Sequence, residues 1–285
     1  METEIINKIS NCSVSYGVIA IYVTDGNTHI YNNIQKFLKS INEIKYKENI
    51  ECVNDDAKKL FIEYKEKLKF LLISKKYSYG FTDIISGHYN LNSKSGINNL
   101  IKQLTPMEIE KIKNDDFDDM WNEFYKLKNI NYDMSRKKFI YFRNNLIENK
   151  YNLTNKYNNP DWEFPKGKKN IEEEDDIQCA IREFKEETKL KNKDFKIYKN
   201  IEPLIEHFKG TDEKFYKYVY YIALLKKDTI IDIMKNRIEV SEIGLYDYDN
   251  AITKIRKYYK NRLQILYSVF TNIVNWIILH NVKNI

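Results

Sequence analysis

Three carboxylates stand close enough along the chain to do chemistry together: Glu183, Glu186 and Glu187, in the run Arg182-Glu183-Phe184-Lys185-Glu186-Glu187. On a helix they fall at i, i+3 and i+4 and share one face. Like charges at this spacing destabilise a bare helix by roughly 0.2–0.5 kcal/mol, so a divalent cation is their natural counterpart. An oxygen-only set that leaves room for water and phosphate oxygens suits Mg2+ or Mn2+. A short acidic motif taken alone is more often a solvated helix face, and it is the surroundings of this one that point to a site.

Those surroundings are the elements that must position the carboxylates. Trp162 to Leu190 reads as a short strand through Phe164, a loop turning at Gly167, and a helix from about Asp175 to Thr188. Ile177, Ala180, Ile181, Phe184 and Thr188 form a neighbouring stripe that predicts packing on a sheet. One face of the helix is for the core and one for a cation.

The order Gly167, Glu174, then Arg182-Glu183-Phe184-Lys185-Glu186-Glu187 resembles the Nudix box, a Gly followed by a Glu and then Arg-Glu-apolar-x-Glu-Glu at set spacing. Two positions depart from it. The gap from Gly167 to Glu174 is one residue longer than the usual pattern, so either the loop carries an insertion or Glu173 takes the place of Glu174. Lys189 stands where a Gly is expected, and the helix is expected to end through Asn192 instead. Further segments narrow the resemblance: Ser78-Tyr79-Gly80-Phe81, His88-Tyr89, Phe117-Asp118-x-Met120-Trp121, Trp162-Glu163-x-Pro165-Lys166-Gly167-Lys168 and Cys179-Ala180-Ile181-Arg182-Glu183-Phe184. Together they are similar to the viral mRNA-decapping branch of the Nudix family, of the African swine fever virus type and more distantly the poxvirus type, over most of residues 70–285.

The resemblance implies an α/β Nudix fold, a mixed sheet sandwiched between helices, and an enzyme that hydrolyses the 5′ cap of mRNA to 7-methyl-GDP and 5′-monophosphate RNA. It implies a cytoplasmic site of action in an infected host cell, or also the virion. Metal-assisted attack of water on the pyrophosphate bridge would place Glu186 and Glu187 as ligands and Glu183 as ligand or general base, making Glu183 and Glu187 the catalytic pair. Arg182 would hold Glu174 or the loop backbone. A further carboxylate from outside the helix is usual in the family; Glu239 is the candidate, with Glu242 close by. Tyr79 aligns with the aromatic residue that stacks on the cap base in the poxvirus enzymes, and Tyr218 or Tyr220 would supply the opposite wall for a cationic base. Ordinary strand packing is the alternative for both of the latter.

Lys166, Lys168 and Lys169 surround Gly167 and either meet the cap phosphates or are idle surface lysines. Two segments interleave basic and aromatic residues and suit an RNA body: Arg136, Lys137, Lys138 and Arg143 in one, Lys254, Arg256 and Lys257 in the other. Each could equally be an amphipathic helix with a solvated basic face. Other substrates open to this chemistry are a diphosphoinositol or dinucleoside polyphosphate, and an inactive RNA-binding role is a further alternative. A homodimer is left open.

Length and composition agree with such a protein. A chain of 285 residues with net charge +6 can bury a large core, and the charge outside the acidic helix is more basic than the total, which suits a polyanionic partner. Cys12, Cys52 and Cys179 match no zinc spacing and read as free thiols of a reducing compartment. His29, His88, His207 and His280 are scattered and form no metal or triad pattern. No signal peptide is visible. The uncharged run Leu263 to Val282 has the length of a membrane span, but Gln264, Ser268, Thr271, Asn272 and Asn275 recur on one side, so a helix docked on the domain is expected and no membrane partner.

Along the chain, Ser13 to Val23 reads as a strand that turns at Asp25-Gly26 and returns through His29 and Ile30. Helical spacing at about 33–67 reads as an elaboration inside residues 1–82, and Phe70 to Ser74 resumes the sheet. From 83 to 151 strands nearly vanish. Thr105-Pro106-Met107-Glu108 is a capping box with Pro at the first helical position, and further helices are expected around Met120 to Tyr125 and from Ser135 to Ile147. This block reads as a helical, RNA-binding insertion. Residues 152–285 complete the Nudix domain, with the box at 167–190, strands near Phe195 to Tyr198, Ile201 to Phe208, Phe215 to Leu225 and Ile238 to Tyr246, and two closing helices.

Overall fold

The computed structural model describes residues 12–24, 27–46, 54–125, 127–151, 153, 156–210, 214–231 and 239–282. In chain order the elements are β1 (Ser13–Val23), α1 (Thr28–Ser40), α2 (Asp55–Lys67), β2 (Leu68–Lys75), α3 (Tyr79–Ser86), α4 (Lys94–Gln103), α5 (Pro106–Asn114), α6 (Phe117–Phe124) and α7 (Tyr132–Ile147). They continue as β3 (Trp162–Glu163), β4 (Lys166–Gly167), α8 (Asp176–Thr188), β5 (Phe195–Ile197), β6 (Leu204–Lys209), β7 (Phe215–Leu225), β8 (Val240–Tyr246), α9 (Tyr248–Lys254) and α10 (Lys260–Val282). Two compact units result. One comprises Met1–Ser74, Trp162–Phe208 and Tyr216–Ile285, the other Lys75–Asp161 and Lys209–Phe215.

The first unit is built on a mixed sheet. β1 runs parallel to β7, from Ser13 opposite Tyr216 to Ile21 opposite Leu224, and antiparallel to β2, with Ile21 opposite Phe70. β3 extends the sheet beyond β2, β5 beyond β7, and β4 pairs with β1 through only Tyr16↔Gly167 and Gly17↔Lys166. Successive strand residues point to opposite faces, and both faces are apolar. Val18, Ala20, Leu71, Ile73 and Ala223 pack with Ala180 and Phe184 of α8 on one side. Ile19, Ile21, Phe70, Leu72 and Ile222 pack on the other with α1, α2 and α10 through Phe37, Tyr64 and Phe270. The sheet is therefore sandwiched between helices, with the acidic helix held on one face.

Several expectations are corrected here. No strand returns through His29 and Ile30: α1 begins at Thr28, with the Asn27 side chain accepting Ile30 N–H at 3.1 Å. The helical spacing of Ile30, Ile34, Phe37 and Leu38 buries all four, which a short return strand would not do. Asp25 and Gly26 lie outside the described residues. In α10 the polar side is not a solvent side. Ser268 and Thr271 are fully buried and Asn272 nearly so. They return their hydrogen bonds to backbone carbonyls, Ser268 to Gln264 O at 2.8 Å and Asn272 to Ser268 O and Lys45 O, both at 2.8 Å. By length and composition α10 could cross a membrane, but here it is the core helix of one side of the sheet.

The second unit is a helical block around Phe81, Leu100, Ile112, Trp121, Phe139 and Phe142. It begins at Lys75, earlier than residue 83, because α3 buries Phe81, Ile84 and Ile85 in its core. The capping box at Thr105 forms as its sequence predicts. Its Glu108 is wholly buried and does more than cap α5. It accepts Thr105 N–H at 2.7 Å, Ser78 N–H at 2.5 Å and the Ser78 hydroxyl at 2.8 Å, which joins the starts of α3 and α5. Burial pushes its carboxyl above the ordinary value, against the lowering effect of these donors. Glu108→Ala would strand two buried N–H groups at a cost on the order of 3 kcal/mol. A urea titration is expected to show that loss as a lower midpoint for the helical unit.

Candidate active site

The helix that carries the carboxylates is defined at both ends by its own side chains. Asp175 caps α8, accepting Ile177 N–H and Gln178 N–H, each at 3.1 Å. At the other end Lys189 adopts the left-handed conformation, φ 62°, with its N–H on Lys185 O, so the helix ends there and not through Asn192. Lys189 thus takes the conformation a Gly would adopt without strain, and the turn is closed by Leu190, buried and with its N–H on the Thr188 hydroxyl at 3.2 Å.

Gly167 and Glu183 meet in the tightest contact of the site. A β-carbon on Gly167 would lie 2.1 Å from Glu183 Oε2, so the carboxylate occupies the space that any other residue would fill. One turn on, Glu187 is buried and its Oε2 accepts Lys166 N–H at 2.8 Å. Both glutamates are thereby pressed onto the loop from β4. Glu186 is exposed at the helix surface.

Arg182 ties this face together. Its Nε and Nη2 clasp Glu174 at 2.8 and 3.0 Å, Nη2 also donates to Lys168 O at 2.8 Å, and Nη1 reaches Glu183 Oε1 at 2.7 Å and Glu186 Oε2 at 3.3 Å. Glu174, whose Oε2 accepts Asn170 N–H at 3.1 Å, is therefore the loop glutamate that Arg182 holds. The guanidinium holds the Glu174 carboxyl down at about 2. Glu183 goes the other way. Burial raises it above the ordinary carboxylate value, Arg182 opposes this, and the charges of Glu186 and Glu239 raise it further. The charge of Glu242 acts on Tyr246 instead. Cys179, buried beneath, has its thiol pushed up to about 12 by burial and is no nucleophile.

Among the described residues no group of three or more His, Cys, Asp or Glu is assembled to hold a metal ion. The oxygens are engaged otherwise: Arg182 Nη1 lies between Glu183 and Glu186, and Glu187 is on Lys166 N–H. The donor set nevertheless fits a hard divalent cation. It is oxygen-only, and Glu183 feels the negative charge of both Glu186 and Glu239.

Other residues predicted for the site are placed as follows. Lys166 is a correction: it is buried, with its ammonium 2.8 Å from Glu163 Oε2 and 4.3 Å over the Tyr218 ring. Lys168 is exposed, and Lys169 pairs with Asp176 at 2.6 Å. Tyr220 is fully buried with its hydroxyl on Glu206 Oε2 at 3.1 Å, and Tyr218 is buried against Phe208, so both rings are packed in the core and do not form an open wall. Tyr79 belongs to the helical unit, half-buried in the first turn of α3. Lys138 and Arg143 are also corrections. Lys138 donates to Gly87 O and Tyr89 O at 2.8 and 2.7 Å, and Arg143 Nε donates to Ile112 O at 2.6 Å, so both fasten helices of their own unit. Arg136 and Lys137 are exposed. Arg256 is buried, Lys254 lies 4.7 Å over the Trp162 ring, and Lys257 is exposed.

Residues 145–266 match the NUDIX domain family. A "Putative mRNA-decapping protein" of Acanthamoeba polyphaga mimivirus is 31% identical over 261 residues, covering 81% of this chain and 72% of that protein. The chain belongs to the Nudix family. It is a Nudix pyrophosphohydrolase, and hydrolases of this family are generally dependent on a divalent metal. An mRNA-decapping protein of African swine fever virus is 32% identical over 203 residues, covering 67% of this chain and 76% of its own length. Among solved structures, a C. elegans Ap4A hydrolase binary complex shares 14% identity over 90% of this chain and 96% of that one, at a TM-score of 0.40, too low to bear on the site.

Sequence reasoning missed Glu163, buried against Lys166, with Arg262 and Glu206 buried in turn behind it. Glu163 carried a signal, since an acidic residue three before Lys166 in an otherwise apolar strand must find a partner.

Two outcomes follow. Gly167→Ala is expected to displace the Glu183 carboxylate and lower turnover at least about 100-fold, while circular dichroism shows the fold intact. The depressed carboxyl of Glu174 means that its pair with Arg182 contributes stability above the unfolded carboxylate value of about 4.3 and loses it as pH falls toward about 2. The Tm advantage of the native protein over Arg182→Gln should therefore narrow across that window. A gap that stays constant would show that the pair is not what Arg182 supplies.

Proposed function

We propose that this protein hydrolyses the 5′ cap of mRNA, releasing 7-methyl-GDP and leaving 5′-monophosphate RNA, with Mg2+ or Mn2+ bound at the carboxylate face of α8. The observation that carries this reading is the similarity to two viral proteins named for mRNA decapping, over 81% and 67% of the chain. A match of that length extends beyond the Nudix region at 145–266 and takes in part of what surrounds it. Decapping in the cytoplasm of an infected cell is the corresponding setting.

Glu183, Glu186, Glu187 and Glu239 would hold the metal, which when bound polarises the bridging phosphate and lowers the pKa of a bound water. The chain's own residues do the rest. Arg182 holds Glu183 Oε1 at 2.7 Å and Oε2 sits over Gly167, so the carboxylate is oriented at the loop, where it would accept the proton of the attacking water. Arg182 keeps loop and helix in register through Glu174 and Lys168 O. Exposed Lys168 would meet phosphate, and exposed Arg136, Lys137 and Lys257 would be the RNA-body cations, Arg136 lying 4.0 Å from Asp118 while Lys138 and Arg143 fasten helices. No observation on this chain favours a diphosphoinositol or dinucleoside polyphosphate, or a homodimer.

Cap-labelled RNA incubated with the protein and Mg2+ or Mn2+ should release labelled 7-methyl-GDP. Glu183→Gln and Glu187→Gln should each lower kcat about 100-fold or more. The amide oxygen introduced by Glu187→Gln can still accept Lys166 N–H, so the fold is expected to survive. Release that is unaffected in both variants would overturn the assignment.

A further inference from the structure

Lys166 stands between two carboxylates. Its main-chain N–H donates to Glu187 Oε2 at 2.8 Å, and its ammonium lies 2.8 Å from Glu163 Oε2. Behind Glu163 is Arg262, in the first turn of α10, with Nη1 3.5 Å from the same oxygen and Nε donating to Glu206 Oε2 at 3.1 Å. The Tyr220 hydroxyl donates to that Glu206 oxygen at 3.1 Å. Glu163 and Arg262 are completely buried and Glu206 is 1% exposed. Four ionisable side chains from β3, β4, β6 and α10 thus form one chain of ion pairs, and the main-chain N–H of Lys166 joins it to a carboxylate of the active site.

Stability alone does not account for these pairs. Buried ion pairs add little or nothing over well-packed apolar residues of similar volume, whereas removing one partner leaves a costly uncompensated charge. What they do supply is position. The peptide that carries the Lys166 N–H is tied to β1 through its carbonyl, Val18 N–H donating to Pro165 O at 3.0 Å, and β4 itself pairs only at Tyr16↔Gly167 and Gly17↔Lys166, so the backbone holds this turn to one strand along a short edge. A second anchor on the Lys166 side chain completes the constraint.

We infer that Glu163 and Arg262 are positioning residues for Glu187: through the Lys166 side chain they hold the Lys166 N–H that sets the Glu187 carboxylate for metal binding. The inference rests on the reading of Glu187 as a metal ligand. Three measurements test it. In metal-free protein, hydrogen exchange at the Lys166 amide should speed up at least about tenfold in Glu163→Gln and in Arg262→Lys. Calorimetric Mn2+ affinity should weaken about 10–100-fold, the range for residues that orient metal ligands. With capped RNA, kcat should fall while KM stays within about twofold.

The double variant Glu163→Gln/Lys166→Met removes both charges, so it decides the matter even where a single variant fails to fold. A positioning role predicts recovered Tm but a still unprotected residue-166 amide and weak Mn2+ binding. Native protection and native Mn2+ affinity in that variant would overturn the inference and leave the network a matter of stability only. If the native protein binds no Mn2+, the inference falls as well. If it binds Mn2+ but does not turn over capped RNA, the decapping reading fails alone, and the amide and Mn2+ measurements still decide this one.

Discussion

Three glutamates on one helix face repel one another, and the fold must hold them together before any cation arrives. It does so with two kinds of donor. Arg182, on the same helix, spreads one guanidinium over Glu174, Glu183, Glu186 and the Lys168 carbonyl. The loop backbone at Lys166 takes Glu187. Removing the glutamates from water raises the energy of their charged forms, and the rise at Glu183 is the visible remainder after Arg182 has offset part of it. A divalent cation at this face would relieve a repulsion that the protein maintains by construction.

The packing beneath explains why the helix stays where it is. Ala180 and Phe184 insert among Val18, Ala20, Leu71 and Ala223, so the helix is held at a fixed height above the sheet with its carboxylates against the loop. Gly17 and Gly167 then let the loop approach. A β-carbon at Gly17 would fall 2.4 Å from Pro165 O, and one at Gly167 would fall on Glu183. Two glycines therefore set the distance between strand, loop and helix, a dimension that no apolar pattern encodes.

The helical unit follows a different logic. Its core is aromatic, with Phe117, Trp121 and Tyr132 in mutual ring contact, and several of its polar groups are spent on joining helices. Glu108 links α3 to α5, while Lys138 and Arg143 close the carbonyl ends of α3 and α5. The basic, aromatic segment at 136–143 reads as an RNA surface in sequence, and half of its named cations prove to be internal fasteners. Sequence cannot separate these uses, because a lysine that reaches a carbonyl and one that reaches a phosphate occupy the same helical positions.

The carboxylate helix, its packing stripe at Ala180 and Phe184, and the strands at Ser13–Val23 and Phe215–Leu225 were legible from the chain. Each rests on local periodicity that neighbours in sequence settle between themselves. Partners brought together from afar were not legible. Lys166 and Arg262 look like ordinary surface charges in a sequence where 31% of residues are charged, and Glu163 signals a partner without naming it, yet the three are buried together. His29 and Ile30 resemble a returning strand until burial of Ile34, Phe37 and Leu38 against the sheet favours a helix. Local spacing thus determined which side chains face the same way, while the tertiary structure decided which charges lose water and to whom, because desolvation depends on everything that packs around a group and not on what precedes it in the chain.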